Sequence, residues 1–320
     1  MYINEIKGKG GIEVKMVCDS IANNTRIATM QLRFHRFILP EFNTHRMFSK
    51  NASSSRAIPV KKMLEQVKKE PAMPIHWGAN QPGMQAEKEC DSVIMTNLFN
   101  QARYDVEGRE NLSNKQFWFK CAEYSAYMSE DMSEADYHKQ IVNRITEPYQ
   151  FVNVIVTATE WDNFFNLRLH KDAQPEIHEL ARCMKESMDK SKPSRLNENE
   201  WHLPYVPKYD EEGNPSYYDD ALDVLKCSVA RCARVSYLNH DNSTPNIQKD
   251  IALYDMLLKA GHMSPFEHQA TPMPINQKYS ADYIDYINNL RLTNGVTHID
   301  KDLNFWSGNF RNWVQHRQIL

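Results

Sequence analysis

The chain has 320 residues, with 38 lysines and arginines against 41 aspartates and glutamates, and 41% of it is hydrophobic. That length and apolar content support a sizeable core, in one large domain or two intertwined lobes, and a net charge of −3 excludes a uniformly basic nucleic-acid coat protein. Six cysteines without a Cys-x-x-Cys spacing, no apolar signal core and no run of roughly 20 apolar residues point to free thiols in a reducing, cytoplasmic setting and to no membrane span.

Residues 26–37, RIATMQLRFHRF, alternate partly and carry aromatic and aliphatic side chains, which predicts a strand. Pro59 stands at a helix start, with Val60, Met63, Leu64 and Val67 following at helical spacing. Between strand and helix lies THRMFSKNASSSR (44–56). Its Arg46, Lys50 and Arg56, with Lys61 and Lys62, form a run of five cations that no acid interrupts between Glu41 and Glu65. A Ser/Asn-rich stretch in that position is either ordinary turn and capping chemistry or a phosphate cradle of hydroxyls, backbone N–H groups and cations. Read alone, capping is the plainer choice.

Residues 71–87, rich in Pro and Gly, predict a loop, and Ser113 to Gln116 is a capping box ahead of a helix in FWFKCAEYSAYM. FVNVIVTATEW (151–161) begins as an apolar run of either type. After Pro175, Ile177, Leu180, Ala181, Met184 and Met188 define an amphipathic helix, and the polar, proline-bearing residues 189–219 read as a connector. CARVSY (232–237) reads as a strand or strand end. Ile251, Tyr254, Leu257 and Leu258 mark a helix ended by Gly261, and Tyr283, Ile284, Ile287 and Leu290 mark another. The order mixes α and β without the βαβ rhythm of a doubly wound sheet.

No Gly-x-Gly-x-x-Gly turn or Walker loop occurs, so a nucleotide cofactor is not held by a Rossmann turn. His262, Glu267 and His268 fit no zinc spacing, and no metal is expected. No Gly-x-Ser-x-Gly elbow or catalytic cysteine context appears, so a bound cofactor is expected to carry the hard step of any reaction. EWDNFFNLRLHKDAQPEIHELA (160–181) gathers Asn163, Arg168, Asp172, Gln174 and Glu176 at a helix start, and Arg168 follows an aromatic stretch where a guanidinium wants an anion. Each segment also has a plain reading. His268 is then a satisfied core histidine, Ser53 to Ser55 cap a turn, and Arg168 pairs with Glu176.

Taken together, the segments resemble the flavin-dependent thymidylate synthases. Thr44-His45-Arg46, then seven residues and Ser54, with Ser49, Asn51 and Arg56 in register, resembles that family's Arg-His-Arg signature. FFNLRLHKDAQPEI, ARVSY, GHMSPFEH and HKQIVNRITEP are similar to four further family segments. Thr44 replaces a motif arginine, Glu41 a glutamine, Ala52 a glutamate and Asp172 a histidine. The Ser-Pro-Phe-Glu-His block, normally ahead of the signature, lies over 200 residues after it. NFRNWVQHRQIL also weakly echoes EFNTHRMF, so a permuted or internally duplicated relative, as phage genomes carry, is expected.

The resemblance implies an α+β fold with a mixed or antiparallel central sheet flanked by helices. Residues 1–190 and 221–320 would form one intertwined domain around a 190–220 connector. It also implies reductive methylation of dUMP at C5, with methylenetetrahydrofolate as carbon donor and FAD, reduced by NADPH, as hydride source. The expected assembly is a homotetramer with active sites between subunits, without nucleic acid or membrane partners. Ser54, Ser55, Arg56, Arg144, Arg168 and Glu41 would bind substrate, with Arg168 and Ser54 catalytic. His45, Arg46, Asn51, Asn163, Ser236 and His268 would line the flavin. Lys50, Arg36 or Arg317 would replace the cation lost at Thr44. Two rivals are dUMP or dCMP hydroxymethylation on the same scaffold, and a non-catalytic phosphate or nucleic-acid binder.

Overall fold

The computed structural model describes residues 2–96, 110–206, 221–235, 246–274 and 294–320. The chain runs through β1 (Asn4–Lys7), β2 (Glu13–Ala22), β3 (Thr25–His35), α1 (Leu39–Asn43), β4 (Ser49–Ala52) and α2 (Val60–Lys69). It continues with β5 (Ile94–Thr96), β6 (Glu110–Leu112), α3 (Asn114–Glu134), α4 (Lys139–Val142), β7 (Phe151–Ala158), α5 (Asp162–Arg168), α6 (Pro175–Lys190) and β8 (Ser194–Arg195). Then come α7 (Ala221–Arg234), α8 (Ile247–Lys259), β9 (Ala270–Pro272), β10 (His298–Ile299), β11 (Phe305–Ser307), β12 (Phe310–Arg311) and β13 (Trp313–Gln315).

The fold is α+β. Its central sheet has the order β1-β2-β3-β7-β4, all antiparallel, with β8 joined to β2 as a short parallel pair. Asn23 and Asn24, at φ 50° and 57°, form the two-residue turn from β2 to β3, the conformation that matches strand twist in a tight hairpin.

Strand alternation decides what each sheet face touches. Ala28, Met30, Leu32 and Phe34 of β3 and Val152, Val154 and Val156 of β7 share one core cluster with Ile177, Leu180, Ala181 and Met184 of α6. The amphipathic spacing after Pro175 is thus the helix that covers this face. The opposite face is also buried, because the C-terminal segments lie on it. Ile27 packs with Leu196, Phe310 and Trp313, and Ile155 with Tyr205, Cys232 and Val235.

The apolar run at 151 resolves as strand β7, and the capping box at Ser113 is formed in both directions. Gly261 follows α8 at φ 70°, the left-handed residue that ends a helix. CARVSY requires a correction. Cys232 to Arg234 are the last turn of α7, whose buried face includes Cys227, Val229, Ala230 and Cys232, and Val235 leaves the helix at φ 55°. The short segment read alone suggested a strand, but the helical repeat that begins at Leu225 wins. The helix expected through Tyr283 lies outside the described residues.

Candidate active site

THRMFSKNASSSR is more than a connection between strand and helix. After β3 the chain makes a 3-10 turn, Arg36–Ile38, then α1 with Pro40 in its first turn, closed by Thr44 Oγ1 donating to Glu41 O at 2.7 Å. Residues 49–52 then form β4, pairing Ser49 with Thr157 and Ala52 with Val154 of β7. The serines that follow make a turn. Ser53 Oγ accepts from the Asn153 N–H at 3.1 Å, and Ser54 Oγ accepts from the Arg56 N–H at 3.3 Å.

A cleft of about 190 Å³ opens beside α1 and α5. His45, Arg46, Asn163 and Arg168 all line it, so four expected site residues from two distant segments meet in one place. Arg168 Nε donates to His45 Nε2 at 2.9 Å, and its Nη1 pairs with the Glu41 carboxylate. The partner of Arg168 is thus Glu41, five residues past Arg36, and not Glu176, which accepts from the Ile75 N–H at 2.8 Å. Among the described residues no partner is assigned to Arg168 Nη2, leaving two donors for a ligand.

His45 is held edge-on against Phe164, with ring centroids 4.8 Å apart at 86°. Burial, with Arg168 and Lys50 close by, lowers its pKa to about 4. The ring is therefore neutral, and since Nε2 accepts from Arg168 its proton sits on Nδ1. Lys50 donates to the carbonyls of Asn43 at 3.1 Å and His45 at 2.8 Å, and desolvation lowers its pKa to about 8. Glu160, also on the cleft wall, pairs with Arg311 at 2.8 Å, and burial raises its pKa. Sequence reading had singled out neither Glu160 nor Phe164. The aromatic run ahead of Arg168 was the available signal for Phe164.

A second polar cluster stands at the other end of the segment. Ser55, Arg144 and Arg36 converge on Glu147, and buried Asn143 holds the Ser55 and Ile58 carbonyls at 2.8 and 3.1 Å. Arg56 and Ser54 are exposed on the adjoining turn.

Two expected flavin residues, Asn51 and His268, are not on the cleft wall. Asn51 donates its amide to the carbonyl of Cys232 at 2.9 Å and accepts from Ser264 Oγ at 3.4 Å, so it ties β4 to the end of α7 and to the Ser-Pro-Phe-Glu turn. His268 is fully buried, bonded through Nδ1 to Thr157 Oγ1 at 2.9 Å, and its Nε2 has no partner among the described residues. Ser236 lies outside the described residues. Arg317 pairs with Glu267 rather than entering the cleft.

The 44–56 and 261–272 segments, over 200 residues apart in sequence, are neighbours in space. The C-terminal echo joins them, with Gln315 Nε2 donating to Ser49 Oγ at 3.2 Å and to Glu267 O at 3.1 Å. A groove of about 1080 Å³ between Lys7–Lys9, the 75–87 loop and α6 is lined by none of the expected site residues. Among the described residues no group of three His, Cys, Asp or Glu could hold a metal ion, and no helix is long and apolar enough to cross a membrane.

A family model described as thymidylate synthase complementing protein matches residues 24–194, more than half of the chain. The chain belongs to this family. The match contains β3, β4, β7, α5, α6, the cleft and the Glu147 cluster, and stops before α7. Among solved structures, the chain is similar to a flavin-dependent thymidylate synthase from Helicobacter pylori complexed with FAD and dUMP, at 15% identity and a TM-score of 0.31, over 51% of this chain and 67% of that one. It is also similar to a UMP/dUMP methylase, PolB, from Streptomyces cacaoi bound with 5-Br dUMP, at 13% identity and a TM-score of 0.40, over 58% of this chain and 93% of that one. No curated protein matches the chain.

Proposed function

We propose that the protein is a flavin-dependent thymidylate synthase, which methylates dUMP at C5 with methylenetetrahydrofolate as carbon donor and NADPH-reduced FAD as hydride source. The observation that carries this reading is the meeting of His45, Arg46, Asn163 and Arg168 in one cleft inside the family-matched span. A pyrimidine activated at C5 accumulates negative charge on its carbonyl oxygens. Arg168, anchored by Glu41 and His45 with Nη2 left over, is a preorganised donor for that charge. Neutral His45 fixes the guanidinium without adding a competing charge.

The donor set suits a flavin ring edge as well, since Arg46 and Asn163 are donors on the wall and hydrogen bonds to the ring tune its chemistry. Bound there, reduced FAD supplies the hydride. A cleft of about 190 Å³ lies below the roughly 300 Å³ at which small-ligand sites begin, so the described residues of one chain enclose only part of a stacked flavin–nucleotide pair. That supports a site completed by a second copy, as in a homotetramer.

The test is spectroscopic. Purified protein offered FAD is expected to turn yellow, and NADPH is expected to bleach it without oxygen. Protein that takes up no FAD favours a non-catalytic binder and overturns the proposal.

A further inference from the structure

The polar wall of the active cleft is made of donors, with one charged exception. Among the described residues, Arg46, Asn163 and Arg168 Nη2 are donors without a partner, and Glu160 is the one acid that lines the cleft. Glu160 stands at the turn from β7 into α5, three residues ahead of Asn163, so carboxylate and amide lie about one helical turn apart. Its Oε1 lies 2.8 Å from Arg311 Nε, and its Oε2 has no partner among the described residues. Arg311 is itself held in place. It pairs with Trp306 between β12 and β11, and its N–H donates to Thr159 Oγ1 at 3.0 Å. A guanidinium fixed there favours the ionised carboxylate.

A ring that fills the cleft strips water from Oε2, and a desolvated carboxylate without a donor is costly. The ring must therefore bring an N–H to Glu160 and acceptors to the donors beside it. An imide edge, carbonyl then N–H then carbonyl, offers that set, and uracil and the isoalloxazine ring of a flavin both carry it. Cytosine does not, because its N3 is a bare acceptor that an ionised carboxylate repels. We propose that Glu160 is a specificity-determining residue that accepts the imide N–H of the ring bound in this cleft, with Asn163 donating to a flanking carbonyl. That the ring is a flavin or a uracil rests on the function proposed above. Glu160 lies in the family-matched span but outside the signature, and Arg311 lies beyond that span, so motif reading selects neither. If Glu160 serves only to pair Arg311, the ring's N–H makes no difference to binding.

Titration of the full chain with FAD, with dUMP and with each of them methylated at N3 tests this. In the wild type, methylation of the ring that Glu160 reads is expected to weaken binding by about tenfold or more, the scale of a hydrogen bond to a charged group. In Glu160→Ala that difference is expected to shrink by a similar factor, and in Arg311→Gln, which keeps the carboxylate, to persist. The ligand whose difference shrinks identifies the ring as flavin or base. If it is the base, dCMP is expected to bind more weakly than dUMP, and Glu160→Ala to narrow that gap as well. Glu160→Gln keeps the shape and a neutral acceptor, so a smaller reduction is expected there, which keeps the test valid should Glu160→Ala fold poorly. A methylation difference that is the same in the wild type and in the folded Glu160 variants, for both ligands, overturns the reading of Glu160 and leaves the proposed function standing. Protein that binds neither FAD nor dUMP overturns both.

Discussion

Thr157→Val removes one hydroxyl from a line of four buried side chains that joins the sheet to the segments laid over it. His202 Nε2 meets Thr29 Oγ1 at 2.8 Å, Thr29 Oγ1 meets Thr157 Oγ1 at 2.7 Å, and Thr157 Oγ1 meets His268 Nδ1 at 2.9 Å. All four residues are fully buried. Valine keeps the shape and suits a strand, so the loss is that of the hydrogen bonds. Thr29 retains His202, but His268 loses its one described partner, because its Nε2 already has none. A buried polar group left unsatisfied costs about 1–3 kcal/mol, and with the weakened Thr29 contact the expected loss is about 2–3 kcal/mol. Urea unfolding at pH 7 measures it. Thr157→Ser keeps the hydroxyl and removes one methyl, for which about 1 kcal/mol is expected. If Thr157→Val unfolds within about 0.5 kcal/mol of the wild type, or Thr157→Ser is the worse of the two, the chain contributes through packing and the reasoning fails.

Acid should destabilise the fold early, since burial lowers the pKa of His202 and His268 to about 3 and that of His316 to about 4. Each folded value lies below the unfolded 6.5, so this stability is complete above pH 6.5 and is lost as pH falls toward 3. At pH 5 the first two histidines together account for about 4 kcal/mol, and urea midpoints that stay flat from pH 7 to 5 would contradict it. Arg168→Ala should abolish turnover, by at least 100-fold on the scale of lost charge stabilisation, while stability falls only by about 1 kcal/mol; substantial remaining activity would mean that another arginine serves the pyrimidine. Lys50, with a pKa lowered to about 8 by desolvation, should lose its charge as pH rises through 8. Nucleotide affinity should weaken over that range in the wild type and stay level in Lys50→Met, which titration between pH 7 and 9 decides.

The long, strongly patterned elements could be read from sequence because their own residues determine them. The alternation of 26–37, the apolar spacing after Pro175 and the capping box at Ser113 each need no distant partner to be recognised. β4 escaped notice because SKNA is polar and only pairing with β7 makes it a strand. The last turn of α7 was misread from the six residues of CARVSY, where the buried repeat of the whole helix decides the matter.

At the site, the resemblance assigned His45, Arg46, Asn163 and Arg168 to substrate and flavin, and the four line one cleft. It did not reveal which acid meets which arginine. Glu41 reaches Arg168 because α1 folds back over α5, and Glu147 gathers Arg36 and Arg144 because two 3-10 turns abut. His268 and Asn51 fit the family pattern in sequence, but here the C-terminal segments bury the first and occupy the amide of the second.

The most direct measurement is the mass of the nucleotide formed when the protein is incubated with dUMP, methylenetetrahydrofolate, NADPH and FAD. The account predicts dTMP, dUMP with one added methyl group, formed only when the flavin and the folate are both present. A hydroxymethyl product, or dUMP recovered unchanged by protein that holds flavin, would contradict it.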